Sequence, residues 1–349
     1  MSFSGTGNRS MPKNPRTDSE TQDAGSKAQG KILVTGATGF VGTNLCHRFL
    51  AEKTPFLALV RSPVKAEERG LPKNSLLLGD FCRPSEWNLE GVRAVVHLGG
   101  LVRALKWPEF QAVNVEGTGR LLARIREWDP GIPFIHVSSL AAAGPSRDGK
   151  ASLAPPSEAR PCSLYGRSKM LSEREVQASG LSHTILRPGA VYGPWDKDVL
   201  ALFRQVRRGL GLVAGPPSRF SLIYVEDLVE AILRALEAPV EGRVIPLGYH
   251  EPIGDREWLE KIGEAVGQSP RVLRLPLFLA GGVALGAEVW AKLRGRAALF
   301  GRDKYRELAG GDWVADPGLA EELLGFRAKT GFLEGFAKTW DWYRQKGWI

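Results

Sequence analysis

Lys31-Ile32-Leu33-Val34-Thr35 runs directly into Gly36-Ala37-Thr38-Gly39-Phe40-Val41-Gly42 and then an amphipathic stretch through Leu50, and no other segment restricts the fold so tightly. An apolar β-type run, a glycine turn and a helix form the order that a dinucleotide-binding unit requires. Gly36 permits a sharp exit from the strand, Gly39 lets the backbone approach a pyrophosphate, and Gly42 lets the helix pack close to the sheet. The helix start adds unpaired N–H groups and a positive dipole end, both suited to phosphate. The bland alternative is a glycine-rich turn with no ligand. The spacing is G-x-x-G-x-x-G, not the commoner G-x-G-x-x-G.

A second motif supplies chemistry. Tyr165-Gly166-Arg167-Ser168-Lys169 sets a phenol and an ammonium four residues apart in a stretch that reads as helix, so both lie on one face. At an effective dielectric of ~20 and a separation of ~4 Å, two unit charges interact by ~4 kcal/mol, roughly three pKa units. That brings Tyr165 from ~10 to near ~7, where general acid–base work is efficient. Taken alone, Y-x-x-x-K is a weak match that reads first as a solvated helix face.

Together the glycine spacing and the distant Tyr/Lys pair resemble the extended branch of the short-chain dehydrogenase/reductase superfamily, from about Lys31 to near the C-terminus. The resemblance implies an α/β fold: a Rossmann-type doubly wound parallel sheet with a smaller C-terminal substrate-binding region. Residues 31–190 would form the NAD(P)-binding core, and 191–349 mainly the substrate region, with some elements returning to the core.

Other positions match the family one by one. After the apolar run Pro55–Val60 stands Arg61, where an NAD-preferring member usually carries an acid. An arginine there can bind a 2′-phosphate, so NADP(H) is favoured; a solvated Arg61 stays compatible with NAD(H). The resemblance places Asp80 at the adenine edge and small residues after the strand Ala94–His97 against the cofactor. Cofactor contacts are thereby implied at Gly36, Thr38, Gly39, Phe40, Val41, Gly42, Arg61, Asp80, Phe81, Leu98, Gly99, Gly100, Tyr165, Lys169 and Pro188. His97 reads as a packed histidine, since nothing near it supplies the rest of a His-centred site. Asn114, in a strongly periodic helix from about Trp107 to Trp128, matches the N-V-x-G-T segment and by resemblance supports the proton path. Of Ser138 and Ser139, the resemblance assigns the catalytic hydroxyl to Ser139 and a structural role to Ser138. Tyr165 would exchange the proton, Ser139 orient the substrate oxygen, and Lys169 tune the phenol and bind the nicotinamide ribose.

Composition narrows the class. With 349 residues, 43% of them hydrophobic, the chain can bury a large core. Its 3 cysteines, Cys46, Cys82 and Cys162, are scattered without metal-ligand spacing, so neither a disulfide framework nor a metal site is expected. A reducing cytoplasm fits that usage. Residues 1–30 are polar with no apolar run and read as a disordered tail. The formal charge of +9 needs no nucleic-acid partner, and no nucleic-acid motif accompanies it. The segment Leu275–Ala291 is apolar but short and interrupted by Glu288, and basic residues Lys292, Arg294 and Arg296 follow it. It reads as a buried or pocket-lining helix, with peripheral membrane contact as the alternative. Gly331–Trp348 reads as an amphipathic helix packed on the body. A homodimer is compatible with all of this.

The reading that follows is an NAD(P)-dependent dehydrogenase or reductase acting on a secondary alcohol or ketone. The version of the serine motif, Ser138-Ser139-Leu140-Ala141-Ala142-Ala143-Gly144-Pro145, is similar to that of the 3β-hydroxysteroid dehydrogenase-like reductases. Leu140 and Ala141 stand where a sugar dehydratase carries an Asp-Glu pair. Apolar residues in the Leu275–Trp290 region and in Phe220–Tyr224 suggest a bulky hydrophobic substrate of steroid, isoprenoid or polyketide type. The alternatives are a nucleotide-sugar epimerase and a non-catalytic cofactor sensor.

Overall fold

The computed structural model describes residues 1–2, 30–84, 87–146, 157–238, 240–295, 298 and 300–349. The expected N-terminal tail and Arg296 fall outside them, apart from residues 1–2 and Gly30. Among the described residues, seven parallel strands make the central sheet. These are β1 (Lys31–Thr35), β2 (Phe56–Val60), β3 (Leu76–Leu78), β4 (Val92–His97), β5 (Phe134–Val137), β6 (His183–Pro188) and the strand Arg243–Leu247. Their spatial order is β3, β2, β1, β4, β5, β6 and Arg243–Leu247, the doubly wound arrangement expected.

The strands are near-continuous runs of Ile, Val and Leu because helices cover both faces. One apolar layer holds Leu45 and Phe49 of the helix Phe40–Ala51 with Leu228 and Ile232 of the helix Val225–Glu237. The other holds Leu121, Ile125, Phe134 and Val176. Each such side chain contributes ~1.5–3 kcal/mol on burial. The chain reverses its direction of winding between β1 and β4, and that crevice is where a doubly wound sheet holds its ligand. Thr35 and His97 close its floor through a 2.6 Å hydrogen bond between Oγ1 and Nδ1.

The periodic stretch from Trp107 to Trp128 is not one regular helix. An α-turn at Trp107–Phe110 passes into a π-helical segment, Gln111–Gly117, before α-helix resumes over Thr118–Trp128. The wide turn centres on Asn114, whose side chain is tied to two other parts of the chain; such insertions recur at functional sites. Periodicity does not report it, because the partners that hold Asn114, Leu101 and Ser168, lie outside the helix.

After β6 the chain builds three two-stranded pairs: Ala190–Tyr192 with Leu222–Tyr224, Leu210–Ala214 with Arg271–Leu275, and Arg219–Phe220 with Ile253–Gly254. The C-terminal helix Phe332–Gln345 packs as its pattern indicates. It buries Phe336 and Tyr343 completely in an aromatic cluster with Phe203 and Tyr192.

The apolar segment forms the helix Leu277–Leu293, and of the expected buried or pocket-lining helix the structure gives the second, with Ala280 and Val283 in a cavity wall and most of the helix exposed. Only Ala280, Ala284 and Ala291 are buried, whereas Phe278 is 75% and Leu293 82% exposed. Its small side chains face the body, and its bulky ones face outward.

Candidate functional site

The glycine turn is shaped for close approach. Gly36 has φ +68°, and a Cβ there would lie 2.7 Å from the Leu98 carbonyl oxygen; at Gly42 it would lie 2.2 Å from Gly36 O. Gly39 is the N-cap of Phe40–Ala51, with no side-chain hydrogen bond to the helix and no acid in its first turn. The leading N–H groups are therefore open to an anion, and Thr38, Phe40 and Val41 border them on the same turn. These features fit the pyrophosphate of a dinucleotide. Leu98, Gly99 and Gly100 continue from β4 beside the turn; the Gly99 N–H donates to Thr35 Oγ1 at 3.2 Å, and Phe81 packs on Gly99 so closely that a Cβ would meet its ring at 2.6 Å. Asp80 accepts a 3.0 Å hydrogen bond from the Cys82 N–H through Oδ1. His97 is fully buried between Thr35 and Thr118, and burial, with the Lys169 charge, pushes its pKa down to about 3. It is a packed histidine.

Arg61 is exposed immediately beyond β2, and Ser62 caps the helix Pro63–Glu68 that follows. Burial, then the charges of Arg69, Arg61 and Lys197, push the Lys65 ammonium down, so several cations crowd the far end of β2. Sequence reading found Arg61 but not its neighbours.

The helix Leu164–Ala178 presents Tyr165 and Lys169, one turn apart. Lys169 is buried and donates from Nζ to Val137 O at 3.0 Å. Burial lowers its pKa to about 8, against the opposing charge of Glu173. The expectation that Tyr165 sits near neutrality is overturned. Burial pushes its pKa up to about 12, opposed by its hydrogen bond with Ser139, while the Glu307 charge raises it further. The coulombic argument omitted desolvation, which here is the largest influence. Ser139 heads the short turn Leu140–Ala142, its Oγ accepting from the Ala141 N–H at 3.1 Å. The Ser138 hydroxyl, by contrast, is buried with no partner among the described residues, and its backbone N–H joins Leu186 O at 2.7 Å. Pro188 closes β6 and is buried.

Asn114 links the two halves of the site. Its Nδ2 donates to Leu101 O and to Ser168 Oγ, both at 2.8 Å, and its Oδ1 accepts from the Leu101 N–H at 2.7 Å. Ser168 in turn donates to Tyr165 O at 2.7 Å. The π segment thus holds the loop after β4 against the helix that carries Tyr165.

Two supports were not singled out from the sequence. Glu173 continues the Tyr165/Lys169 face by another turn and forms a fully buried bidentate pair with Arg187, at 2.9 and 2.7 Å. The i, i+4, i+8 spacing made Glu173 findable. Asp303 accepts from the N–H groups of Leu164 and Tyr165 at 2.6 and 3.1 Å, placing a carboxylate at the positive end of the catalytic helix. Nothing local marks it, since it arrives from 138 residues away.

Tyr165 also lines a cavity of about 840 Å³ with mostly apolar walls, among them Phe110, Val191, Leu202, Phe220 and Trp258. Several of the cations that line it are matched by carboxylates: Arg103 pairs with Asp198, Lys292 and Arg302 with Glu288, and Lys304 with Glu307. The three cysteines are free, and no group of three or more His, Cys, Asp or Glu among the described residues could hold a metal ion.

Comparison with known proteins agrees with this geometry. Ceramide reductase of Caulobacter vibrioides is 33% identical over 331 residues, covering 92% of this chain and 97% of that protein. Sterol demethylase protein B of Methylococcus capsulatus is 31% identical over 339 residues, covering 91% and 99%. Among solved structures, UDP-glucose 4-epimerase of Thermus thermophilus in complex with NAD superposes with a TM-score of 0.68 at 25% identity, covering 90% of this chain and 99% of that one. Residues 32–248, from β1 through Arg243–Leu247, match the NAD dependent epimerase/dehydratase family. This chain is a nicotinamide-dependent enzyme of CH–OH groups and belongs to the NAD-dependent epimerase/dehydratase family.

Proposed function

We propose that this protein reduces a bulky apolar ketone, or oxidises the matching secondary alcohol, with NADP(H) exchanged from solution. The observation that carries this reading is the Tyr165 side chain in the wall of a large, mainly apolar cavity, four of whose five described lining cations are engaged by carboxylates, Arg103 by Asp198, Lys304 by Glu307, and Lys292 and Arg302 by the single Glu288, with Arg306 the exception. A nucleotide sugar brings a diphosphate and wants free cations; an apolar ketone wants apolar walls and one or two donors at the carbonyl. The two curated relatives named above carry lipids in their names, ceramide and sterol, which supports the same substrate class.

When bound, the nicotinamide supplies or accepts the hydride. The protein's part begins at the glycine turn, whose N–H groups would hold the pyrophosphate. Tyr165 donates its proton to the substrate oxygen during reduction, and the Ser139 hydroxyl orients that oxygen beside the phenol. Lys169, held by Val137 O and favoured in its charged form by Glu173, keeps a positive charge behind the phenol and would bind the ribose. Asn114 fixes the distance between the crevice and the catalytic helix.

Cofactor choice rests on Arg61 and the cations gathered near it. Arg61→Asp is expected to shift preference from NADPH toward NADH by tenfold or more, since a charge-assisted contact becomes a repulsion. Isothermal titration of both cofactors to both proteins checks it; equal wild-type affinities would favour a dual-cofactor enzyme.

The competing reading, a nucleotide-sugar epimerase, draws on the likeness to the Thermus thermophilus enzyme. Incubation with apolar ketones and with nucleotide sugars, following nicotinamide absorbance, separates the two. Net oxidation of NADPH by an apolar ketone supports the reductase. Sugar interconversion without net absorbance change would replace it.

A further inference from the structure

The helix Leu277–Leu293 is amphipathic in the reverse sense. Buried Ala280, Ala284 and Ala291 lie on one side, and Ala280 with Val283 helps wall the cavity that reaches Tyr165. At 3.6 residues per turn, the exposed positions Phe278, Leu279, Gly282, Val283, Leu285, Gly286, Val289, Trp290 and Leu293 fall on one continuous apolar face, with exposed Lys292 at its edge. Leu212 and Leu273, paired in the ribbon that feeds the helix, are exposed as well.

We propose that this face docks on an anionic lipid surface and that the cavity behind it takes its substrate from the bilayer. The idea rests on the apolar-substrate reading above and adds where that substrate comes from. At ~1.5 Å per residue the 17-residue helix is about 25 Å long, shorter than the ~30 Å hydrocarbon core, and Glu288 interrupts it. Among the described residues no helix is long and apolar enough to cross a membrane. The helix lies in the interface, not through it.

Charge selects this occupant. Arg294 sits over the Trp290 ring at 3.7 Å, aromatic and cation together at the end of the apolar face. Lys292 and Arg302 share one carboxylate, Glu288, leaving this end net positive, and the chain carries a formal +9. A second copy of the chain is a poorer match. A helix ~25 Å long and ~10 Å wide offers on the order of 250 Å², against ~800 Å² per partner in a standard interface. A lipid surface has no such minimum, and each basic residue near it adds ~1 kcal/mol.

The test is sedimentation of the full chain with vesicles of phosphatidylglycerol and phosphatidylcholine, or of phosphatidylcholine alone. The wild type is expected to bind the anionic vesicles at least tenfold more tightly than the neutral ones. A Phe278→Ser/Trp290→Ser/Leu293→Ser variant is expected to lose at least tenfold in that binding. None of its three positions lines the cavity, so its turnover of a water-soluble ketone should match the wild type, confirming that it is folded. Vesicle-embedded ketone should then be reduced at least tenfold more slowly by the variant. Failure of the wild type to sediment, or equal sedimentation of the variant, would overturn the proposal. So would a wild-type dimer that becomes monomeric in the variant without vesicle binding. Vesicle binding lost in the variant, with no ketone reduced by either protein, would support docking and sink only the reductase reading.

Discussion

Tyr165→Phe lowers turnover by roughly 10²-fold or more while leaving cofactor affinity within about threefold, because positioned acid–base groups contribute about that much to rate. The ring keeps its packing beside Phe110, at 6.4 Å between centroids, so only the hydroxyl is removed. With its pKa pushed up to about 12, the phenol holds its proton throughout the neutral range. That suits donation to a carbonyl oxygen. Steady-state kinetics with cofactor titration checks the prediction. Unchanged turnover would remove Tyr165 from the chemistry.

The second large effect concerns the pair behind it. Glu173→Ala is expected to cost about 3–5 kcal/mol of stability, since it leaves the guanidinium of Arg187 buried without this carboxylate. Both side chains are essentially inaccessible, at 0% and 1% exposure, so water cannot compensate. Glu173 also sustains the Lys169 charge, so cofactor affinity should fall with stability. A Glu173→Leu/Arg187→Met double variant should regain most of the stability, because two apolar side chains can replace a buried pair, but not the cofactor affinity. Urea denaturation with cofactor titration of each protein measures both. A single variant within about 1 kcal/mol of the wild type would show that the pair contributes little.

The nucleotide half was legible because its signals are local. Gly36, Gly39 and Gly42 announce a turn by spacing alone, and the Ile/Val/Leu runs of β1, β4 and β5 announce a sheet covered on both faces. The Tyr165/Lys169 face was legible for the same reason. What the spacing could not convey was environment. Tyr165 was placed near neutrality by counting one charge, whereas partial burial in the folded chain raises its pKa. The π segment around Asn114 stayed hidden because its cause lies in Leu101 and Ser168, which no helical period contains. Asp303 stayed hidden because capping from 138 residues away leaves no local trace. The helix Leu277–Leu293 was legible in part, as a pocket-lining helix. Its apolarity was plain, but only the packing shows which side faces the body and how much of it stays exposed.

The central claim is net hydride transfer from exchangeable cofactor to an apolar carbonyl. Incubating the enzyme with NADPH deuterated on the transferring face of its nicotinamide ring, together with an apolar ketone, and weighing the product by mass spectrometry tests it most directly. The account predicts an alcohol one deuterium heavier for each NADPH consumed, and no label in any nucleotide sugar. An unlabelled product, or an interconverted sugar formed with no consumption of NADPH, would contradict it.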